Sequence, residues 1–273
     1  GMPFIINTVF SNPILFSNSA FTYTPDNGYV GMDTIQIQVT DGATTSTSNI
    51  YITVNAIPTV NAMTDKTYCN GSYTTVIPIT GSITGTYFNY FSTGTLIPDG
   101  AGDIPAFMAR NSSGAPVTTQ FNIVPFYTNA GTTCIGDTAQ YNVRVLPTPR
   151  LNPLPDTVFC NGNNIQLPNW VSNIQSSLII PHVDIHLTND NTSIGLVDSF
   201  SGNLSNGGLS FTGVNNTGTP NTAAISVYAT YADASSGLLC QGDPINFTIT
   251  VLPSTTLDPI SDQFYCVGAT TAP

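Results

Sequence analysis

The sequence predicts an all-β chain built from β-sandwich domains in tandem. Three observations carry that reading. Apolar and polar residues alternate with a period of two in many short segments. Cysteine phrases recur at a period near one hundred residues. Thr, Ser and Asn rather than charge supply the polarity, alongside 20 prolines and 23 glycines, and these residues suit exposed strand faces and turns better than helices.

The alternation is clearest in Ile35-Gln36-Ile37-Gln38-Val39 and in Ile50-Tyr51-Ile52-Thr53-Val54. A period of two puts one face in a core and the other in water. Asp41-Gly42 follows the first segment as a turn signal. Further strands are expected at Phe121–Val124 and Ile225–Tyr231, and closing strands at Tyr141–Leu146 and Phe247–Leu252. No stretch has convincing helical periodicity. Many short strands separated by turn signals read as sandwiches of the immunoglobulin type.

The repeat is written in two phrases. The first is Tyr68-Cys69-Asn70-Gly71, then Phe159-Cys160-Asn161-Gly162, then Tyr265-Cys266-Val267-Gly268; the second is Cys134-Ile135-Gly136-Asp137 and Cys240-Gln241-Gly242-Asp243. Cys134 to Cys240 and Cys160 to Cys266 are each 106 positions apart, and Cys69 to Cys160 is 91. A fixed long period with a variable interior marks tandem domains. Proline-bearing joints follow the closing strands at Ala56-Ile57-Pro58, Leu146-Pro147-Thr148-Pro149 and Leu252-Pro253-Ser254. Proline cannot donate to a ladder, so it ends a strand and stiffens the joint. The expected division is 1–56, a partial unit; 57–147 and 148–252, two complete units; and 253–273, the start of a further one. The chain reads as an excised piece of a longer protein.

Composition excludes several partners. Four basic residues stand against 15 acidic ones, for a formal net charge of −11. Nucleic acid needs clustered Lys and Arg, and so does an anionic membrane surface. No apolar run reaches the roughly 18 residues that span a bilayer. Evenly placed cysteines in a chain with 7% charged residues point to an oxidising, extracellular setting.

The residues then resemble a family. The aromatic-Cys-Asn-Gly phrase, Ile104-Pro105-Ala106-Phe107, the Cys-x-Gly-Asp phrase, the Phe-Thr-Ile-Thr-Val strand and its proline joint resemble the PKD-like tandem repeats of giant Bacteroidetes cell-surface proteins. Asn191–Leu196 looks like part of the same repeat, and the resemblance covers residues from about 57 to 273. In the first unit, Phe21–Tyr29 and Gly31-Met32-Asp33 look like the closing half of a cadherin-like repeat. The resemblance implies a stalk of a gliding-type adhesin exported by the type IX secretion system. Its partners would be surface polysaccharide or another extracellular ligand, neighbouring repeats, and further copies in filaments. The alternatives are a polysaccharide-binding module and the stalk of a secreted hydrolase.

The simplest cysteine pairing is within a unit, Cys69 with Cys134 and Cys160 with Cys240, leaving Cys266 unpaired. Closing a loop of about 65 residues would add roughly 4 kcal/mol in the chain-entropy model. The pairing has a geometric difficulty: the end of a first strand and the start of a last strand lie at opposite ends of a regular sandwich. A bridge between units, such as Cys69 to Cys240, and free buried thiols are the other options.

Other candidate chemistry is sparse. His182, Asp184 and His186 share one face of an expected strand, a weak metal set because strand spacing spreads ligands apart. Asp26, Asp33, Asp41 and Asn189-Asp190-Asn191 offer calcium oxygens without an EF-hand spacing; otherwise no cofactor is expected. No nucleophile constellation is present, and no enzyme activity is expected. Thr34, Thr138 and Thr157 each follow Asp in a short Asp-Thr-apolar pattern of O-glycosylation acceptors. Tyr87, Phe88, Tyr90, Phe91 and the lone Trp170 are candidates for stacking on sugar rings, or for filling cores.

Overall fold

The computed structural model describes residues 4–5, 15–17, 20–40, 43–94, 96–167, 173–175, 177, 182–203, 209–255 and 260–270. The named elements are β-strands and one 3-10 turn at Thr192–Ile194. Two compact units divide the chain, one of residues 1–110 with 117–145 and one of 111–116 with 146–273.

In chain order the first unit holds β1 (Phe4–Ile5), β2 (Leu15–Ser17), β3 (Ala20–Thr22), β4 (Gly31–Thr40), β5 (Thr45–Val54), β6 (Lys66–Cys69), β7 (Tyr87–Ser92), β8 (Gly100–Ala101), β9 (Val117–Asn129), β10 (Thr132–Ile135) and β11 (Ala139–Leu146). The alternating segments at 35–39 and 50–54 form β4 and β5, which pair antiparallel from Gly31↔Val54 to Thr40↔Thr45; Asp41 and Gly42 between them lie outside the described residues. The main sheet of this unit runs β6-β11-β9-β7-β8, with β10 on β9.

The second unit holds β12 (Thr157–Cys160), β13 (Asn164–Gln166), β14 (Val183–Asn189), β15 (Ser199–Gly202), β16 (Ser210–Thr212), β17 (Asn221–Ala232), β18 (Leu239–Gln241) and β19 (Ile245–Leu252). Its main sheet runs β12-β19-β17-β14-β15, with β18 on β17, and β13 pairs with β16 in a second layer. Strand for strand this is the order of the first unit. The first strand lies parallel to the last, β12 on β19, while the rest of the sheet is antiparallel. The expected all-β, immunoglobulin-like class is the one observed.

Period-two patterning does the sorting. Along β9 burial alternates from Thr119 to Pro125 and along β17 from Ala223 to Tyr231. The inward residues of the first unit build one cluster, with Phe88, Tyr90, Ile104, Phe107, Phe121, Ile123, Tyr141 and Val143 at its centre. Phe121 lies about 6 Å from each of the Tyr90, Phe107 and Tyr141 rings, in tilted or edge-on contact, the arrangement that aromatic quadrupoles favour.

Candidate functional site

Both cysteine phrases turn out to be backbone devices. In the first, the Cys69 and Cys160 carbonyls accept from the amides of Ser72 (3.1 Å) and Asn163 (3.2 Å), and Cys266 repeats the turn with Ala269 (3.1 Å). The glycine in each turn has φ of +86°, +82° or +91°, where a side chain would be strained. In the second phrase, the Gly136 amide donates to Pro125 (3.0 Å) and the Gly242 amide to Ala229 (2.8 Å), at the gap between the short arm and the closing strand. Pro125 needs no ladder partner in that gap. A Cβ on Gly136 would run into the Pro58 carbonyl oxygen, and one on Gly242 into that of Pro149. The proline joint leading into each repeat is therefore seated on that repeat's own glycine.

Cys69 and Cys240 are each oxidised in a disulfide. Cys134 is a half-buried free thiol, and Cys160 and Cys266 are exposed ones. This corrects the within-unit pairing of Cys69 with Cys134 and Cys160 with Cys240. The register explains it in the second unit. Cys160 stands level with Leu252 at the far end of β19, whereas Cys240 precedes its start at Ile245. Eight strand residues at about 3.3 Å each separate the two levels by some 25 Å, against the roughly 7 Å that a disulfide allows between Cα atoms.

The histidines hold local hydrogen bonds. The His186 Nε2 is 3.0 Å from the Thr230 hydroxyl and its Nδ1 is 2.9 Å from that of Ser201; its ring stacks on Tyr228 at 4.7 Å. His182 stands one residue before β14, with Nδ1 3.0 Å from the Ala232 carbonyl and its ring stacked on Tyr231 at 5.5 Å. Asp184 shares their half-buried face. Among the described residues no group of three or more His, Cys or Asp could hold a metal ion.

Carboxylates serve mainly as acceptors for backbone amides, a role that spacing alone did not show. Asp65 takes the Asn142 amide (2.8 Å) and side chain (3.0 Å), and at the matching place Asp156 takes the Thr248 amide (2.7 Å). Asp103 takes Ile79, Asp99 takes Ser92 and Asp190 takes Ala224, each within 2.9 Å. Of the calcium candidates, Asp33 accepts from the Tyr23 hydroxyl (2.8 Å) and the Thr34 amide (2.9 Å). Burial, and then that hydrogen bond to Asp33, push the Tyr23 phenol up to about 12. Asn189 is buried and donates to the Leu196 and Val197 carbonyls, and Asn191 caps the 3-10 turn. Asp41 lies outside the described residues.

A second repeated motif escaped the sequence reading. Asn111-Ser112-Ser113 and Asn215-Asn216-Thr217 both match the acceptor pattern for N-glycosylation, yet Asn111 and Asn215 are buried. Each side-chain oxygen accepts from the amide and hydroxyl two residues on, and each Nδ2 donates to the carbonyl four residues on. They organise loops. The signal was present as the same Asn-x-Ser/Thr triplet recurring 104 positions apart. Among the threonine candidates, Thr138 is exposed between β10 and β11, while Thr34 in β4 and Thr157 in β12 are half-buried.

The aromatic candidates split by face. Phe88 and Tyr90 are core residues; Tyr87 and Phe91 are 47% and 46% exposed, with Tyr87 stacked on Phe126 at 5.2 Å. Trp170 lies outside the described residues.

The first unit also carries a cleft of about 290 Å³ beside β6. Met63, Lys66, Tyr68, Thr75, Pro78 and Tyr141 line it. Tyr141 is 2% exposed and lies in the β11–β9 ladder opposite Phe121. Burial pushes its phenol pKa up, and the neighbouring Tyr68 and Asp65 raise it further. Lys66 is exposed and has no ion-pair partner among the described residues.

Comparison with known proteins agrees with the fold. A family model described as a bacterial Ig domain matches residues 7–53. No curated protein matches the chain. Among solved structures, human protocadherin-24 EC1-2 is 9% identical, covering 74% of this chain and 100% of its own, with a TM-score of 0.36. The immunoglobulin domains 1–5 of Sidekick-1 are 15% identical, covering 86% of this chain and 48% of theirs, at 0.26. Drosophila N-cadherin EC1-4 is 10% identical, covering 82% of this chain and 59% of its own, at 0.26. Likeness at this level assigns neither ligand nor activity.

Proposed function

We propose that this chain is a stretch of stalk from a large bacterial cell-surface adhesin, in which sandwich repeats hold a distal binding region away from the cell and pass load to it. The observation that carries the reading is the seated joint. The Pro58 and Pro149 carbonyls abut Gly136 and Gly242 in the same way. Each joint is also pinned by hydrogen bonds, Ser82 to Thr59 in one unit and Arg150 and Thr148 to Asn173 in the other. Proline and these contacts remove freedom from the segments a spacer must keep stiff. The gliding-motility setting and type IX export are what the repeat phrases imply. In this reading the chain performs no catalytic step.

The test is deletion of residues 148–252 from the parent protein, joined at the prolines. Attachment and gliding should decline while the isolated distal region still binds its ligand. Unchanged attachment and gliding after deletion would remove the stalk reading. O-linked glycan, if carried, belongs on Thr138 first, because it alone of the three candidates is exposed. An intact mass without hexose increments on natively exported protein would rule this out.

A further inference from the structure

The cleft beside β6 carries a cation and two phenol hydroxyls at three places where the second unit, folded on the same frame, has a threonine and two phenylalanines. The equivalence follows from structure as well as spacing. Asp65 and Asp156 cap Asn142 and Thr248, one residue beyond Tyr141 and Phe247, and β6 and β12 both lie on their closing strands. Lys66, Tyr68 and Tyr141 then correspond to Thr157, Phe159 and Phe247. A cation and two hydroxyls are replaced together. Phe247 is 5% exposed and fills its core, so the frame does not need the Tyr141 hydroxyl. Tyr141 lines the cleft, where a ligand that accepts from its hydroxyl would explain why a tyrosine stands there.

We propose that this cleft binds one acidic sugar unit, a pyranose carrying a carboxylate, within a surface polysaccharide. Lys66 meets the carboxylate, the Tyr68 and Tyr141 hydroxyls donate to ring oxygens or hydroxyls, and Met63 and Pro78 contact the apolar face of the ring. Three arguments select that chemistry. The volume lies at the small end of ligand sites, about 300 Å³ and upward, which suits a single ring. Lys66 is one of four basic residues in a chain of net charge −11, and it is unpaired among the described residues. A free amino acid or peptide terminus would bring an ammonium group, and no carboxylate lines the cleft to meet it. A tyrosine phenol is protonated across the physiological range, and burial raises this one further, so it is available as a donor. The inference leans on the adhesin reading only for the source of the sugar.

The experiment is an NMR titration of the full chain with D-glucuronate and D-galacturonate, with D-glucose and acetate as the uncharged and non-sugar arms. Saturable shifts are expected at residues around the cleft, with Kd of about 1–10 mM for at least one uronate and at least about tenfold weaker binding of glucose and acetate. The triple variant Lys66→Thr, Tyr68→Phe, Tyr141→Phe installs the second unit's residues and should keep the fold while losing the shifts. No saturation by either uronate, acetate or glucose binding as well as the uronates do, or undiminished binding by the folded triple variant would each overturn the proposal. A failed titration leaves the stalk reading standing, and a failed deletion experiment leaves the cleft standing.

Discussion

In the first unit the core-facing positions of β7, β9 and β11 carry Phe88, Tyr90, Phe121 and Tyr141. At the register-equivalent positions of β14, β17 and β19 the second unit carries Ile185, Leu187, Ile225 and Phe247. At these positions one core is aromatic and the other mainly aliphatic, yet strand order is the same. What stays constant lies outside the core: the turn glycine after each Cys-Asn pair, the aspartate before the first strand that accepts from the closing strand, and the glycine under the proline joint. Those groups make directional hydrogen bonds or fit one backbone conformation, and they have few substitutes. Core side chains need only fill the volume, which many combinations do.

The comparison can be broken most forcefully in the cores. Phe121→Ala should cost about 3–5 kcal/mol and Ile225→Ala about 2–5 kcal/mol, read as separate shifts in urea midpoints of the two units. If Phe121→Ala is tolerated, the aromatic cluster does not hold the first unit. A smaller loss should come from Gly136→Ala and Gly242→Ala, about 1–3 kcal/mol each by overpacking against the joint carbonyl. The two losses should be alike, and a marked inequality would show that the joints are not seated equivalently.

Smaller again is the aspartate pair. Asp65→Ala should cost more than Asp156→Ala, each about 0.5–1.5 kcal/mol, because Asp65 accepts two hydrogen bonds from Asn142 and Asp156 one from Thr248. Equal losses would mean that the side-chain bond adds nothing. The smallest effect is on pH dependence. The Tyr23 phenol is raised in the folded chain from 10.0 to about 12. The folded state therefore holds its proton more tightly than the unfolded one, and the contribution is complete below pH 10 and lost as pH rises toward 12. Tyr23→Phe should flatten stability across that window, and an unchanged slope would disconnect the Tyr23–Asp33 bond from folding.

Strands were the most legible part of the sequence. Ile35–Val39, Ile50–Val54 and Ile225–Tyr231 lie within observed strands, because alternation is a local property that a half-buried sheet imposes directly. The glycines of the cysteine phrases were legible as repeats but not as devices, since a positive φ or a carbonyl overhead leaves no mark beyond the glycine itself. The cleft was not legible. Lys66 and Tyr68 are separated from Tyr141 by more than seventy positions, and only the β6–β11 pairing brings them together.

Composition and periodicity by themselves determined that this chain is all-β, repeated, poor in cations and built on fixed glycine and aspartate positions. Each follows from what a residue does to its own backbone or to the average charge. Tertiary structure alone decided which cysteines are oxidised, which aromatics face out, and that a lysine and two tyrosines share a cleft. Those are distances through space, set by strand register, and spacing along the chain does not encode them.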